Sequence, residues 1–304
     1  ESVGASPGPA CFARGGSDAT LTDAQLVCGV LDPNEYLGGE LKLDVARAEQ
    51  ALITGIGEPL GLDAGGAARA TIRAFEQAIG ENLTKAIRNG GRTPAETCLI
   101  AYGGGGPMII TGIAEAAGIK RIIIPRLASV FSAFGIGFSH LAHVYQVPLD
   151  GVEIADTAAE LRSRAERDMY GEGVAPQECD YESGLWGVQA DNVVEAPISE
   201  AANFAQGVDD LRVQCKAIFK LPTSTLIADD GKRGSAASAT GTADVLLDDD
   251  GSTSSLPTYD DAAFRSGQTI EGPGLIRGTY LTCLIRVGWS LRVTSNLDLV
   301  IEAN

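Results

Sequence analysis

Ala101-Tyr-Gly-Gly-Gly-Gly-Pro107 is the stretch on which the reading of this 304-residue chain turns. It follows a short apolar run, Cys98-Leu-Ile-Ala101, and precedes an apolar pattern of helical spacing over residues 108–117. A strand that runs into glycines and then a helix builds a turn suited to a phosphate or a nucleotide. Glycine lets the backbone approach a ligand closely, and a helix N-terminus offers unpaired N–H groups to an anion. A plain tight turn satisfies the same residues. The next apolar strand, Arg121-Ile-Ile-Ile-Pro125, makes the order strand–helix–strand, which predicts a parallel pair with a crossover helix. That arrangement puts the glycine turn at the carboxyl end of its strand, the edge at which open α/β sheets bind ligands.

Outward from this turn, the chain reads as a globular α/β protein large enough for two domains. Its 44% hydrophobic and 21% charged residues are ordinary for such a protein. The net charge of −17 argues against nucleic acid or an anionic membrane surface as a partner, since either needs a basic face. The acidity fits a concentrated cytoplasmic protein kept in solution. Cys11, Cys28, Cys98, Cys179, Cys215 and Cys283 are scattered without a C-x-x-C pair, so reduced, mostly buried thiols are expected rather than a disulfide framework or a metal site. No run approaches the roughly 18 apolar residues of a membrane helix, and no signal-peptide pattern is expected. The chain opens Glu1-Ser-Val-Gly4 without a methionine, as a processed, split or longer polypeptide would.

Residues 1–16 read as loop, because Pro7-Gly8-Pro9 prevents a helix. Thr22 or Asp23 is placed to cap a short helix through Val30, and Asp44 to cap another over 43–53. Ala68, Ile72, Phe75, Ile79, Leu83 and Ile87 fall at helical spacing and predict a helix over 64–87, ended by Asn89-Gly90-Gly91. Beyond 150 the pattern predicts a charged helix over 156–172, a strand over 181–188 and a helix over 200–219. A flexible, exposed loop or hairpin pair follows over 228–256, then several short glycine-punctuated strands near the end. The division expected is 1–150 as an α/β domain and 151–304 as a β-rich domain.

Several motifs in order resemble the hydantoinase A/5-oxoprolinase family. The opening residues Glu1-Ser-Val-Gly-Ala-Ser-Pro-Gly-Pro-Ala-Cys-Phe-Ala-Arg-Gly-Gly16 are similar to its Gly-Ala-x-Pro-Gly-Pro-Ala-Cys-Tyr-x-x-Gly-Gly segment. Leu21-Thr-Asp-Ala, Gly29-x-Leu-Asp-Pro33, Leu37-Gly-Gly39, the glycine turn, Ile124-Pro125 and Ser129-Val-Phe-Ser-Ala-Phe-Gly135 keep the family's order, as do Ile270-Glu-Gly-Pro-Gly-Leu-Ile276 and Gly288-Trp289. The resemblance covers nearly the whole chain and is weakest over 150–265. It implies part of an actin/sugar-kinase/Hsp70-like ATPase fold followed by a smaller β-rich α+β domain, with the glycine turn on the adenosine side. It also implies ATP with Mg²⁺ or Mn²⁺, and phosphorylation of a substrate or bicarbonate oxygen ahead of ketone carboxylation or cyclic amide opening. Ser132-Ala-Phe-Gly-Ile-Gly-Phe138 leans toward the acetone and acetophenone carboxylases.

Two departures stand out. The family's Asp-x-Gly-Gly-Thr phosphate loop is absent, so a partner subunit is expected to supply that lobe. The histidine that often follows the Gly-Pro is replaced by Met108-Ile109-Ile110. Both departures also suit a non-catalytic structural subunit of such a complex.

Tyr102, Gly103, Gly104, Gly105, Gly106 and Pro107 are therefore the expected nucleotide contacts, and Ser6, Pro7, Gly8 and Pro9 the candidate substrate loop. Asp23 reads as a helix cap rather than a metal carboxylate. A strand is expected from about His143 to Leu149; His140 and His143, at i and i+3, could share a face and bind a metal, but no third ligand is apparent. Lys85 and Arg88 suit the C-terminal end of the long helix. No catalytic residue and no metal site can be assigned.

Overall fold

The computed structural model describes residue 4 and residues 6–151, 153–190, 192–204, 206–222, 228–247 and 251–304. Residues 1–3 and 5 of the opening motif, and 248–250 of the segment expected to be flexible, lie outside the described residues. The elements run α1 (Leu21–Val27), α2 (Val45–Leu52), α3 (Glu58–Leu60), α4 (Ala64–Asn89), β1 (Cys98–Ile100), α5 (Ile110–Ala117), β2 (Arg121–Ile124) and α6 (Phe131–Ile136). Next come β3 (Leu141–Pro148), α7 (Ile154–Gly171), β4 (Cys179–Gln189), β5 (Asn192–Pro197), α8 (Ala201–Phe204) and β6 (Asp209–Phe219). The rest is β7 (Gly241–Leu246), β8 (Thr253–Tyr259), β9 (Thr269–Glu271), β10 (Gly274–Arg277), β11 (Thr282–Ile285), β12 (Trp289–Val293) and β13 (Leu299–Ala303). No described helix is long and apolar enough to cross a membrane.

Two compact units result, Glu1–Ser132 with Ile227–Asn304, and Ala133–Leu226. This differs from a division at residue 150, for a reason visible in the strand pairing. β13 lies between β2 and β12 in a sheet of order β1-β2-β13-β12-β9, with Ile122 opposite Ile301. The last strands thus complete the sheet begun by β1 and β2 instead of forming a domain of their own. β1 and β2 are parallel, Leu99 against Ile122, with α5 as the crossover.

In the first unit, polar side chains cap the starts of the helices. The Asp63 carboxylate accepts the Gly66 N–H at 2.7 Å to open α4, and Asp44 accepts the Arg47 N–H at 3.1 Å to open α2. The cap of α1 is Thr20, two residues before Thr22 and three before Asp23. Asp23 closes a capping box with it by accepting the Thr20 N–H at 3.0 Å. The buried face of α4 carries Ala67, Ala68, Glu76 and Gly80, whereas Phe75, expected in the apolar stripe, is exposed. A second sheet of order β11-β10-β8-β7 packs Val245, Leu256, Leu275 and Leu284 with Ala24, Ala67 and Ala68 of the helices. The segment 228–256 is therefore only partly exposed. β7 and β8 do form a hairpin, but one that sends Val245 and Leu256 into the core.

The second unit is a sheet of order β3-β6-β4-β5 carrying α7. Ala158, Leu161, Ala165 and Met169 make one buried stripe on α7 and meet Leu185, Val213, Cys215 and Ala217. The helix expected over 200–219 is corrected here: α8 ends at Phe204, and Asp209–Phe219 is the strand β6. Val213, Cys215 and Ala217 are each fully buried, a period of two that the helical reading overlooked.

Candidate functional site

The glycine turn leaves β1 at Ala101, which is buried and donates its N–H to Ile123 O at 2.9 Å. Gly103 turns the chain with φ +79°, a conformation that L side chains rarely adopt, and its N–H reaches Ala128 O at 2.7 Å. Side chains added at Gly103, Gly104 or Gly106 would meet nothing within 4 Å, so these glycines face open space rather than a packed neighbour. A 3₁₀ turn, Gly106–Ile109, separates them from α5. Pro107, Met108, Ile109 and Ile110 are buried. What is open at this edge is thus the glycine backbone and not the first turn of the helix.

Gly104 and Gly105 form one wall of a cavity of about 430 Å³. The same cavity is lined by Asp32 and Glu35 from the turn after α1, Asp260 from the end of β8, Arg277 at the end of β10, and Tyr36 and Tyr280. Arg277 is locked in place: its guanidinium donates to Gly29 O at 2.6 Å, Val30 O at 3.2 Å and Asp32 Oδ2 at 3.2 Å. Burial lowers its pKa, opposed by Asp32. Beneath, the Asp261 carboxyl occupies the space a side chain would need at Gly278, and burial first, then Asp260, pushes its pKa up. The lining therefore holds three carboxylates against one committed arginine. Such a surface accepts hydrogen bonds from hydroxyls and amines and repels phosphates.

Tyr102 does not line this cavity; it is 53% exposed and its ring lies 5.4 Å from that of Phe131. Gly103, Gly106 and Pro107 also lie outside the lining, as do Ser6, Pro7, Gly8 and Pro9. In the latter loop Ser6 and Pro7 are exposed, while Gly8 and Pro9 are buried. Asp23, fully buried, accepts the Cys11 N–H at 2.8 Å and the Thr20 hydroxyl at 2.6 Å, so it ties the loop to α1 as a cap does. His143 lies on a strand, as expected, and its Nε2 is 2.7 Å from Glu172 Oε1, close enough for an ion pair but not aligned as a hydrogen bond. No group of three or more His, Cys, Asp or Glu able to hold a metal occurs among the described residues. Lys85 and Arg88 are exposed near the end of α4.

The sequence reading missed Asp32, Glu35, Asp260 and Arg277. Asp32 and Glu35 come from the turn after α1, and Asp260 and Arg277, more than 150 residues beyond the glycine turn, reach it only by tertiary folding.

Comparison with known proteins defines the class first. Residues 1–145 match the hydantoinase/oxoprolinase family model. Among curated relatives, the acetophenone carboxylase gamma subunit of Aromatoleum aromaticum is 36% identical over 48% of this chain and 20% of its own length. The caprolactamase subunit alpha of Pseudomonas jessenii is 27% identical over 95% of this chain and 47% of its own length. The solved ATP-dependent caprolactamase from the same organism superposes over the whole chain and 49% of its own, with a TM-score of 0.72 at 24% identity, and so shares the fold. These relatives are enzymes, and the chain spans half or less of their length.

Proposed function

We propose that this chain provides the nucleoside side of an ATP site in an ATP-dependent enzyme that activates a carbonyl compound. The supporting observation is the open glycine turn facing an acid-lined cavity. Gly104 and Gly105 leave room for a ligand, Tyr36 and Tyr280 offer aromatic surface to a base, and Glu35 and Asp260 accept from hydroxyl or amine donors. Bound ATP supplies a phosphoryl group that turns an oxygen into a leaving group. This chain's residues orient the nucleoside and keep the phosphates away from their own carboxylates. A partner lobe takes the phosphates. Mg²⁺ would be held through phosphate oxygens and water more than through protein ligands.

Ketone carboxylation of the acetone or acetophenone type is the reading favoured by the stronger identity over the first half of the chain. Opening of a cyclic amide is the second reading, favoured by a relative that matches 95% of this chain. The test is calorimetric titration of ATP into the protein with its co-purifying partners. Gly104→Val adds a side chain where nothing lies within 4 Å, so it should fold normally and weaken binding at least about tenfold. Unchanged affinity in that variant overturns the site. Turnover of ATP stimulated by a ketone with bicarbonate, or instead by a lactam, decides between the two chemistries.

A further inference from the structure

The edges of the three sheets are not protected alike. At β9, the Thr269 N–H donates to Ser235 O at 3.1 Å, so the segment before β7 covers that edge. At β7, Leu246 donates to Cys28 O at 2.9 Å, and at β11, Leu284 O accepts the Thr111 hydroxyl at 2.9 Å. β1 has only three residues, and β5 has six and closes on Pro197. β3 is the exception. It ends the order β3-β6-β4-β5, runs for eight residues from Leu141 to Pro148, and pairs with β6 without a register shift. It carries no Lys, Arg, Asp or Glu. Proteins ordinarily block a long, regular edge of this kind, because it invites another strand.

The backbone of β3 selects what can pair there. Leu149 donates to Leu211 O at 2.8 Å, which sets the alternation: odd-numbered residues bond to β6. Ala142, Val144 and Gln146 therefore turn their N–H and C=O groups to the free edge, where no backbone partner occurs among the described residues. Ala142 is exposed, and Val144, at the centre of the row, is 55% exposed. Pro148, the next outward residue, has no N–H to give. Such a row is complementary to itself when turned about a two-fold axis at Val144. Val144 then meets the partner's Val144, and Ala142 the partner's Gln146, so every outward donor and acceptor of the three residues is used. An axis at Tyr145 instead sets Ala142 against the partner's Pro148, and one at His143 carries Gln146 past the end of the strand. The flanking charges agree with the same axis. Arg164 lies 5.2 Å over the Tyr145 ring, and Glu172 lies 2.7 Å from His143. Tyr145 falls opposite the partner's His143, which turns Arg164 toward the partner's Glu172. Arg164 also keeps a 3.8 Å contact with Asp168 in its own chain, so this attraction favours the register and the strand bonds hold it.

We propose that the chain pairs with a second copy of itself through β3, antiparallel about a two-fold axis at Val144. The two four-stranded sheets become one, with both α7 helices on the same face. One strand from each copy makes a modest contact, so the dimer forms and dissociates with concentration.

Sedimentation equilibrium of the full chain over a concentration series tests this, and should show a monomer–dimer equilibrium. Val144→Lys places like charges directly across the axis at an exposed position, and should weaken dimerisation at least about tenfold. Val193→Lys, the same change on the β5 edge where Val193 is 61% exposed, should leave it unaltered. The register is read by cross-linking in a Cys98→Ser background, which removes the exposed thiol. Residues of a hydrogen-bonded antiparallel pair have Cα atoms about 5.5 Å apart, within reach of a disulfide. Val144→Cys should therefore give a covalent dimer on oxidation. Ala142→Cys and Gln146→Cys should do so only when the two variants are mixed. A chain that stays monomeric at every concentration overturns the proposal, including one whose β3 edge is taken up by a different protein. So does a dimer indifferent to Val144→Lys, or a covalent dimer from Ala142→Cys alone; the cross-links decide the matter even if Val144→Lys fails to fold.

Discussion

The Asp229 carboxylate accepts Arg292 Nη2 at 2.7 Å and the Ser295 N–H at 3.0 Å, and these bonds lower its pKa from 3.8 to about 2. It anchors a strap that covers the β9 edge of the five-stranded sheet, where Gly234 donates to Gly267 O at 2.7 Å and Ala237 to Thr269 O at 2.9 Å. A carboxyl whose folded pKa is depressed stabilises the fold above its unfolded value, and that contribution disappears as pH falls through the folded value. Wild type should therefore melt at a higher temperature than Asp229→Asn above about pH 4, with the gap closing toward pH 2. A gap independent of pH across that window would refute the assignment. Single residues such as this one were beyond the reach of sequence reading, since nothing in Asp229-Asp230 marks its partner as Arg292, 63 positions away. Gly104 is the contrasting case, read from its strand–glycine–helix setting because that signal is local.

At the scale of elements, α4 and α5 cross where neither helix carries bulk. A side chain at Gly80 would meet Ala116 Cβ at 2.6 Å, and one at Gly112 would collide with the Glu76 carboxylate. Gly80→Val should cost about 1–3 kcal/mol by forcing the pair apart, measured by urea denaturation. Thr20→Ala should cost about 1 kcal/mol at the start of α1 by removing its cap. Helices of this kind were legible because caps and a 3.6-residue period are written locally, and α4 begins and ends within two residues of its expected bounds. β6 was not, because its alternation of small and polar residues satisfies a helical template nearly as well. Its identity is settled by β3 and β4, which pair on either side of it. The parallel β1–β2 pair was legible from order alone, but the candidate site was only half so: the glycine wall is contiguous in sequence, whereas the acids come from the turn after α1 and, far along the chain, the end of β8.

For the whole molecule, the residues 133–226 form a unit with its own core, set within the sequence of the other. Leu185→Ala in that core should cost about 2–5 kcal/mol. Hydrogen exchange should then quicken across α7, β4 and β6 while the amides of β12 and β13 keep their protection; equal loosening of both sets would contradict separate cores. The pairing of β13 with β2 has a further consequence for the order of events during synthesis. Ile124 cannot meet Leu299 until the intervening chain has left the ribosome, so β2 waits with an open edge while the nested unit, whose strands are all made by Phe219, can already close. The inner module should thus become resistant to protease on stalled ribosomes before the sheet that surrounds it in sequence, and the nucleotide binding proposed for the glycine turn should appear last.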